Sequence, residues 1–205
     1  DALPESLVPR RVIIDSLLRK KQSREALAEI DGALAINVKD RDLHRLKIAL
    51  LDEAGESEKV ELHLKEMIRL FPDDTSIEQT LVRWYLARKN PEAAEGYLRE
   101  SLKTAGTSDK TGRLTLIRFL AEVRGPDAAI KELDAMVAAG GDVALFRSLR
   151  AGLMFDKGEQ GAAIADMQDI LAAAEPSEET RQIKLALARM LIGAADQVTA
   201  RKLVE

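Results

Sequence analysis

Cysteine is absent from this 205-residue chain. That excludes a disulfide scaffold and any cysteine-ligated zinc or iron–sulfur centre. Aromatics are few (one Trp, two Tyr, four Phe), as are Pro, at six, and Gly, at twelve. An excess of basic charge is also missing: 31 Lys and Arg stand against 35 Asp and Glu, a net charge of -4. A net acidic chain is a poor sequence-independent nucleic-acid binder, so no nucleic-acid partner is expected. No apolar run approaches the roughly 18–20 residues that a membrane span needs. Residue 1 is Asp, and no charged segment followed by an apolar one marks a signal peptide. The C-terminus, Lys202-Leu203-Val204-Glu205, stops inside an apolar-periodic segment. The chain is therefore expected to be a piece of something longer. Lack of Cys suits cytoplasm or periplasm, and an anchored envelope protein is the favoured setting.

What the chain has in quantity is Ala, Leu, Glu, Lys and Arg, the residues that lose least on entering a helix. They recur with a period. Ala26, Val60, Ala94, Ala129, Ala163 and Ala200 open helical patterns at spacings of 34, 34, 35, 34 and 37. Four residues after each stand Ile30, Leu64, Leu98, Leu133, Met167 and Val204. Seven and eight after come further apolar positions such as Ala33 and Leu34, Met67 and Ile68, Met136 and Val137. That set is one face of an α-helix, here called helix B. A second pattern, helix A, precedes it. Nine residues before each marker stand Leu17, Leu51, Tyr85, Leu120, Met154 and Leu191. Twelve before stand Ile14, Ile48, Val82, Ile117, Ala151 and Ala188.

Turn chemistry separates the helices. Ser23, Ser57 and Asn90 are placed to cap helix B, and Pro91 and Pro126 sit where a first-turn proline is tolerated. Thr75-Ser76-Ile77-Glu78-Gln79 offers two overlapping capping boxes before the third helix A. Pro72-Asp73-Asp74, Gly106-Thr107-Ser108-Asp109, Gly140-Gly141-Asp142 and Glu175-Pro176-Ser177 divide successive repeats.

Thirty-four residues forming two helices with short turns resembles the tetratricopeptide repeat (TPR), and the resemblance covers essentially the whole chain. Ala26, Ala94, Ala129, Ala163 and Ala200 match the family's small residue early in helix B; Pro72 matches its closing proline once. Gly55 and Gly158 match the glycine between helices. Half-a-TPR and Sel1-like repeats are related labels, the latter disfavoured by glycine-poor loops. The chain departs where the family prefers Trp: there it has Arg10, His44, Glu78, Arg113, Arg147 and Lys184. Lys47 and Arg150 also fall in columns expected to be apolar. The repeats are thus degenerate and expected to depend on neighbour stacking. The resemblance implies an all-α, right-handed α-solenoid of about six helix-turn-helix hairpins. Their bounds are 7–40, 41–74, 75–109, 110–143, 144–180 and a truncated 181–205, after a lead-in segment at 1–6.

Catalysis has little to stand on, so no enzyme, cofactor or catalytic residue is expected. The only histidines are His44 and His63. Antiparallel packing would bring them near each other, and with Glu61 or Glu66 they would make an incomplete zinc set. Two surface histidines on a charged repeat is the reading adopted, with no metal. Gly106-Thr107-Ser108-Asp109-Lys110-Thr111 lacks the glycine that a P-loop places before its lysine, and reads as a turn. The acidic pairs Asp73-Asp74 and Glu178-Glu179 precede helix starts, where they complement the positive helix end. Trp84 and Tyr85 share columns with Leu, Phe and Met elsewhere and read as core. Arg10-Arg11 and Arg19-Lys20-Lys21 read as solvated helical faces.

What remains is a surface. In TPR arrays, helix A lines a concave groove, and the resemblance places Arg11, Arg45, Arg83, Arg118 and Arg189 on it. Asp15, Gln79, Glu122, Ser148, Phe155 and Asp156 share the groove. The family's carboxylate clamp is missing, because its Asn position holds Val12, Leu46, Thr80, Thr115, Leu149 and Ala186. The expected function is a non-catalytic protein-binding scaffold or adaptor, a monomer or weak oligomer, taking a protein or peptide segment of acidic character. The alternatives are a structural or self-associating module, and an accessory to catalysis carried outside residues 1–205.

Overall fold

The computed structural model describes residues 7–105, 109–140 and 142–204. The lead-in segment 1–6, the turn residues Gly106-Thr107-Ser108, Gly141 and Glu205 lie outside the described residues. Among the described residues all regular structure is helical. The first compact unit spans residues 1–90 and the second 91–205. The first holds α1 (Leu7–Arg19), α2 (Ser23–Ile36), α3 (Arg41–Glu53), α4 (Ser57–Leu70) and α5 (Thr75–Ala87). The second holds α6 (Pro91–Ala105), α7 (Lys110–Phe119), α8 (Pro126–Ala139), α9 (Val143–Asp156), α10 (Gln160–Ala172), α11 (Glu178–Gly193) and α12 (Gln197–Val204). Within each unit every helix packs on its neighbours in sequence, so both cores are built from local contacts.

Periodicity explains those cores. The marker residues Ala26, Val60, Ala94, Ala129, Ala163 and Ala200 are buried, and so are Ile30, Leu64, Leu98, Leu133 and Met167 one turn later. Small markers let helix B approach helix A closely, while the larger residues fill the space one turn on. In the first unit Ile14, Ile30, Leu34, Leu43 and Leu50 form one cluster. In the second, Met167, Ile170, Ile183, Leu187 and Leu191 form another.

The turns from helix A to helix B share one construction. Gln22, Glu56, Asn90, Glu159 and Asp196 donate their backbone N–H to the carbonyls of Leu17, Leu51, Tyr85, Met154 and Leu191. The residue before each donor has positive φ: Lys21, Gly55, Lys89, Gly158 and Ala195. This is the six-to-one closure of a helix C-terminus, which satisfies an orphan carbonyl and turns the chain back. The fourth hairpin differs. Gly125 (φ 92) stands four residues before Ala129, where the other positive-φ residues stand five before their markers. The shift is taken up by α7, which continues as a π-turn over Leu120–Arg124 and keeps Phe119 and Leu120 buried.

Most A helices start on a side-chain cap. Asp40 accepts from the Leu43 N–H, Asp74 from Ser76, Asp109 from Gly112, and Ser177 from Thr180 in a capping box. The serines expected to cap helix B do not stand at its cap positions. Ser23 and Ser57 are first helical residues, preceded by Gln22 and Glu56, whose side chains make no capping bond. The turn closure leads straight into helix B and leaves no extended residue to present a hydroxyl. Likewise, Asp74 and not Thr75 or Ser76 caps α5. The A helices begin at Leu7, Arg41, Thr75, Lys110, Val143 and Glu178.

Candidate interaction surface

Four of the charged residues in apolar columns are held by carboxylate partners. Arg10 reaches Glu29 at 2.9 Å from α1 to α2. Arg147 grips Asp166 from α9 to α10, its Nε at 3.0 Å. Both pairs join the position sixteen residues before a marker to the one three after it. Lys47 reaches Asp31 at 2.7 Å, and Arg150 reaches Asp134 at 2.6 Å and Asp166 at 2.8 Å. Asp31 and Asp134 occupy one repeat position, five after the marker of the preceding hairpin. Burial raises the Asp166 carboxyl pKa, but hydrogen bonds from Arg150 and Arg147 outweigh it and hold it below the usual carboxylate range. These are joints between helices. Their acidic members were the signal in the sequence, repeating with the same period as the cations they serve.

The histidines occupy the same joint in the second hairpin, and here the surface assignment is overturned. His44 is 2 % exposed and His63 4 %. His44 Nδ1 lies 2.9 Å from His63 Nε2, and His44 Nε2 lies 2.7 Å from the Val38 carbonyl oxygen. His63 Nδ1 faces a Glu66 carboxylate oxygen at 3.2 Å. Phe71 stands edge-on to His44 with centroids 5.8 Å apart, and Arg41 lies over the Phe71 ring. Burial, then Lys47, then His44 push the His63 pKa down to about 4, against the pull of Glu66. The repeat register brings the two rings together between α3 and α4, and the Val38 carbonyl and the Phe71 ring close around His44. Among the described residues no three His, Asp or Glu side chains converge to hold a metal ion.

The five groove arginines differ in their commitments. Arg11 donates to Asp40 at 2.5 Å, and Asp40 is the buried cap of α3. Burial raises the Asp40 pKa, but the Leu43 amide and Arg11 together hold it below the ordinary value. Arg45 stands 3.7 Å from Asp42, with both side chains largely in water. Arg83 bonds only within α5, to the Gln79 carbonyl at 3.3 Å and the Thr80 hydroxyl at 3.5 Å. Arg118 on α7 and Arg189 on α11 are exposed. Asp15, Glu122 and Asp156 are exposed as well. None of the three pairs with a groove arginine among the described residues. Ser148 is half-buried and donates to the Leu145 carbonyl at 2.8 Å. Phe155 is half-buried against Gly193.

Trp84 and Tyr85 meet edge to face at 5.3 Å. Tyr85 is buried, and Arg88 lies 4.1 Å above the Trp84 ring. Among the described residues no helix is long and apolar enough to cross a membrane.

No protein-family model matches the chain. No curated protein sequence matches it. Solved structures do. A tetratricopeptide repeat protein from Parabacteroides merdae is 17% identical at a TM-score of 0.48, covering 98% of this chain and 77% of that one. PilW, a type IV pilus biogenesis factor, is 15% identical at 0.47, covering 98% and 91%. YrrB, a TPR protein with an unusual peptide-binding site, is 14% identical at 0.43, covering 85% and 88%. The chain is similar to these proteins in fold, as an all-α array of helical hairpins.

Proposed function

We propose that the chain is a non-catalytic adaptor that holds an acidic segment of a partner protein against the outward faces of its A helices. One observation carries this reading: Arg83, Arg118 and Arg189 recur at one repeat position and none is neutralised by a carboxylate among the described residues. On other repeat columns Arg10, Arg11, Arg147 and Arg150 are committed to carboxylates. A guanidinium offers a planar fork of donors that matches a carboxylate. Arg118 and Arg189, both in the second unit, together attract an acidic segment more than either alone. Arg45, whose contact with Asp42 is long and water-exposed, supplies a further donor.

The test is a fluorescence-anisotropy titration with three peptides of equal length, one Glu-rich, one Gln-rich and one Lys-rich. Binding of the first alone, weakening as salt rises, supports the reading. Equal binding of all three, or none, overturns it.

A second reading is self-association, favoured by the exposed side chains of Leu185, Ile192 and Val198 on the last hairpin. A doubled mass in light scattering, lost on replacing Ile192 and Val198 by Ser, would support it.

A further inference from the structure

We propose that the His44–His63 pair is an acid-opened latch: it holds α3 to α4 while it carries at most one proton beyond those of the two neutral rings, and lets them part when it takes a second.

Three contacts run in line: Val38 carbonyl to His44, His44 to His63, and His63 to Glu66, at 2.7, 2.9 and 3.2 Å. Both ends of the line are acceptors. His44 Nε2 must donate to the carbonyl, so a neutral His44 presents a lone pair at Nδ1. His63 must then donate from Nε2, and a neutral His63 turns the Nδ1 lone pair toward the Glu66 carboxylate. Two neutral rings carry two N–H protons for three contacts. A third proton, on His63 Nδ1, completes the line and is matched by the Glu66 charge. A fourth has no place: it would set N–H against N–H across the 2.9 Å contact, with two cations side by side in the core.

The charges around the pair oppose that fourth proton. From α3, Lys47 bears on His63, and Lys47 is itself tied to Asp31 of α2. At the start of α3, Arg41 reaches across Phe71 to Asp74, the cap of α5. Asp40 beside it is committed to Arg11. On α4, Glu66 is the anion facing His63, while Glu61 is bonded by Lys65 and by the Tyr85 hydroxyl of α5. One anion is therefore available for one proton. Protons have access, since His63 lines a cleft of about 600 Å³ between α2 and α4, with Lys47, Glu66 and Arg69 on its walls.

The first and fifth hairpins close the same joint with ion pairs. At the equivalent positions Arg10–Glu29 and Arg147–Asp166 keep their charges until the carboxylates protonate. The expected opening is thus local to α3 and α4 and does not extend to α9 and α10.

The chain has only two histidines, so ¹⁵N spectra of the four ring nitrogens of the intact chain report the count directly. At pH 7.5 both rings should be Nε2–H tautomers. On acidification His63 Nδ1 should gain the first proton. As the pair takes up a second, amide protection in α3 and α4 should fall about tenfold per pH unit, the slope for one proton. Protection in α9 and α10 should hold over the same range. Double protonation with α3–α4 protection unchanged would overturn the latch, and so would loss of protection in both hairpins together. A second arm uses Glu66→Gln. Its amide can donate to His63 Nδ1 and complete the neutral line, so the first proton should bind at lower pH. An unaltered titration in that variant would show the count to be wrong.

Discussion

His44 and His63 share a 2.9 Å hydrogen bond where the first and fifth hairpins place ion pairs, Arg10–Glu29 and Arg147–Asp166. The three joints link identical repeat positions, so substituting one kind for another changes the pH response and leaves the packing in place. The His63 pKa is lowered in the folded chain to about 4, below the unfolded value of about 6.5. Stability from a lowered histidine is fully present above the unfolded value and is lost as pH falls toward the folded one. Trp84, the sole tryptophan, lies in the first unit. Urea titrations followed by its fluorescence should show a midpoint that falls steadily between pH 6.5 and pH 4.5. A midpoint flat over that range would contradict the assignment.

The second unit should respond in a lower window. Asp166 has a lowered pKa held by Arg150 and Arg147, so its contribution is present above the ordinary carboxylate range and lost only as pH falls below it. Amide exchange should find α9 and α10 protected at pH 4.5, where α3 and α4 already open faster. Earlier loss in α9 and α10 would reverse the account.

Arg150 and Lys47 should behave differently when replaced. Arg150→Ala leaves Asp166, at 12 % side-chain exposure, with a single partner, and should destabilise by about 2 kcal/mol. Lys47→Leu restores an apolar column, frees the exposed Asp31 and removes a cation beside His63, so at pH 7.5 it should be close to neutral. Denaturant midpoints by circular dichroism distinguish them, and equal losses would argue against the column assignment.

The turn closures predict a stabilising change. Ala195 has φ 64 and Lys89 φ 56, a region where glycine is unstrained. Ala195→Gly should raise stability by about 0.5–1 kcal/mol, and Gly55→Ala, at φ 73, should lower it by a similar amount. A shift in the same direction for both would show that chain entropy, not the turn, decides.

Core columns give the plainest contrast. Leu98 and Leu133 are buried, and Glu58 is exposed at the start of α4. Leu133→Asp should abolish the helical signal of the second unit, while Glu58→Ala should leave the melting curve within about 0.5 kcal/mol of the parent. Tolerance of Leu133→Asp would break the repeat register.

The aliphatic columns were legible because Ile30, Leu64, Leu98, Leu133 and Met167 recur at one spacing and packing asks only for bulk without polarity. The charged exceptions were visible as exceptions, not as pairs. Finding that Asp31 serves Lys47 requires aligning acids five residues after one marker with cations thirteen before the next. Nearness of His44 and His63 followed from antiparallel pairing. Their burial did not, because it depends on Val38 offering a carbonyl and Phe71 closing the end of the hairpin. Ser23 and Ser57 read as caps but are the first helical residues, because the turn closure has already satisfied the chain before them. The arginine positions were readable from the repeat; which of them carries a carboxylate partner was not.

The adaptor reading stands or falls on those arginines. The most direct measurement compares the parent with the Arg118→Ala/Arg189→Ala double variant, both changes in the second unit, titrated with the Glu-rich peptide at low and high salt. Both side chains are exposed and neither holds an ion pair among the described residues, so helicity should be unchanged. The account predicts that affinity falls about tenfold at low salt and that its salt dependence flattens. Unchanged affinity with an unchanged salt slope would contradict it, and would leave these arginines as a solvated face.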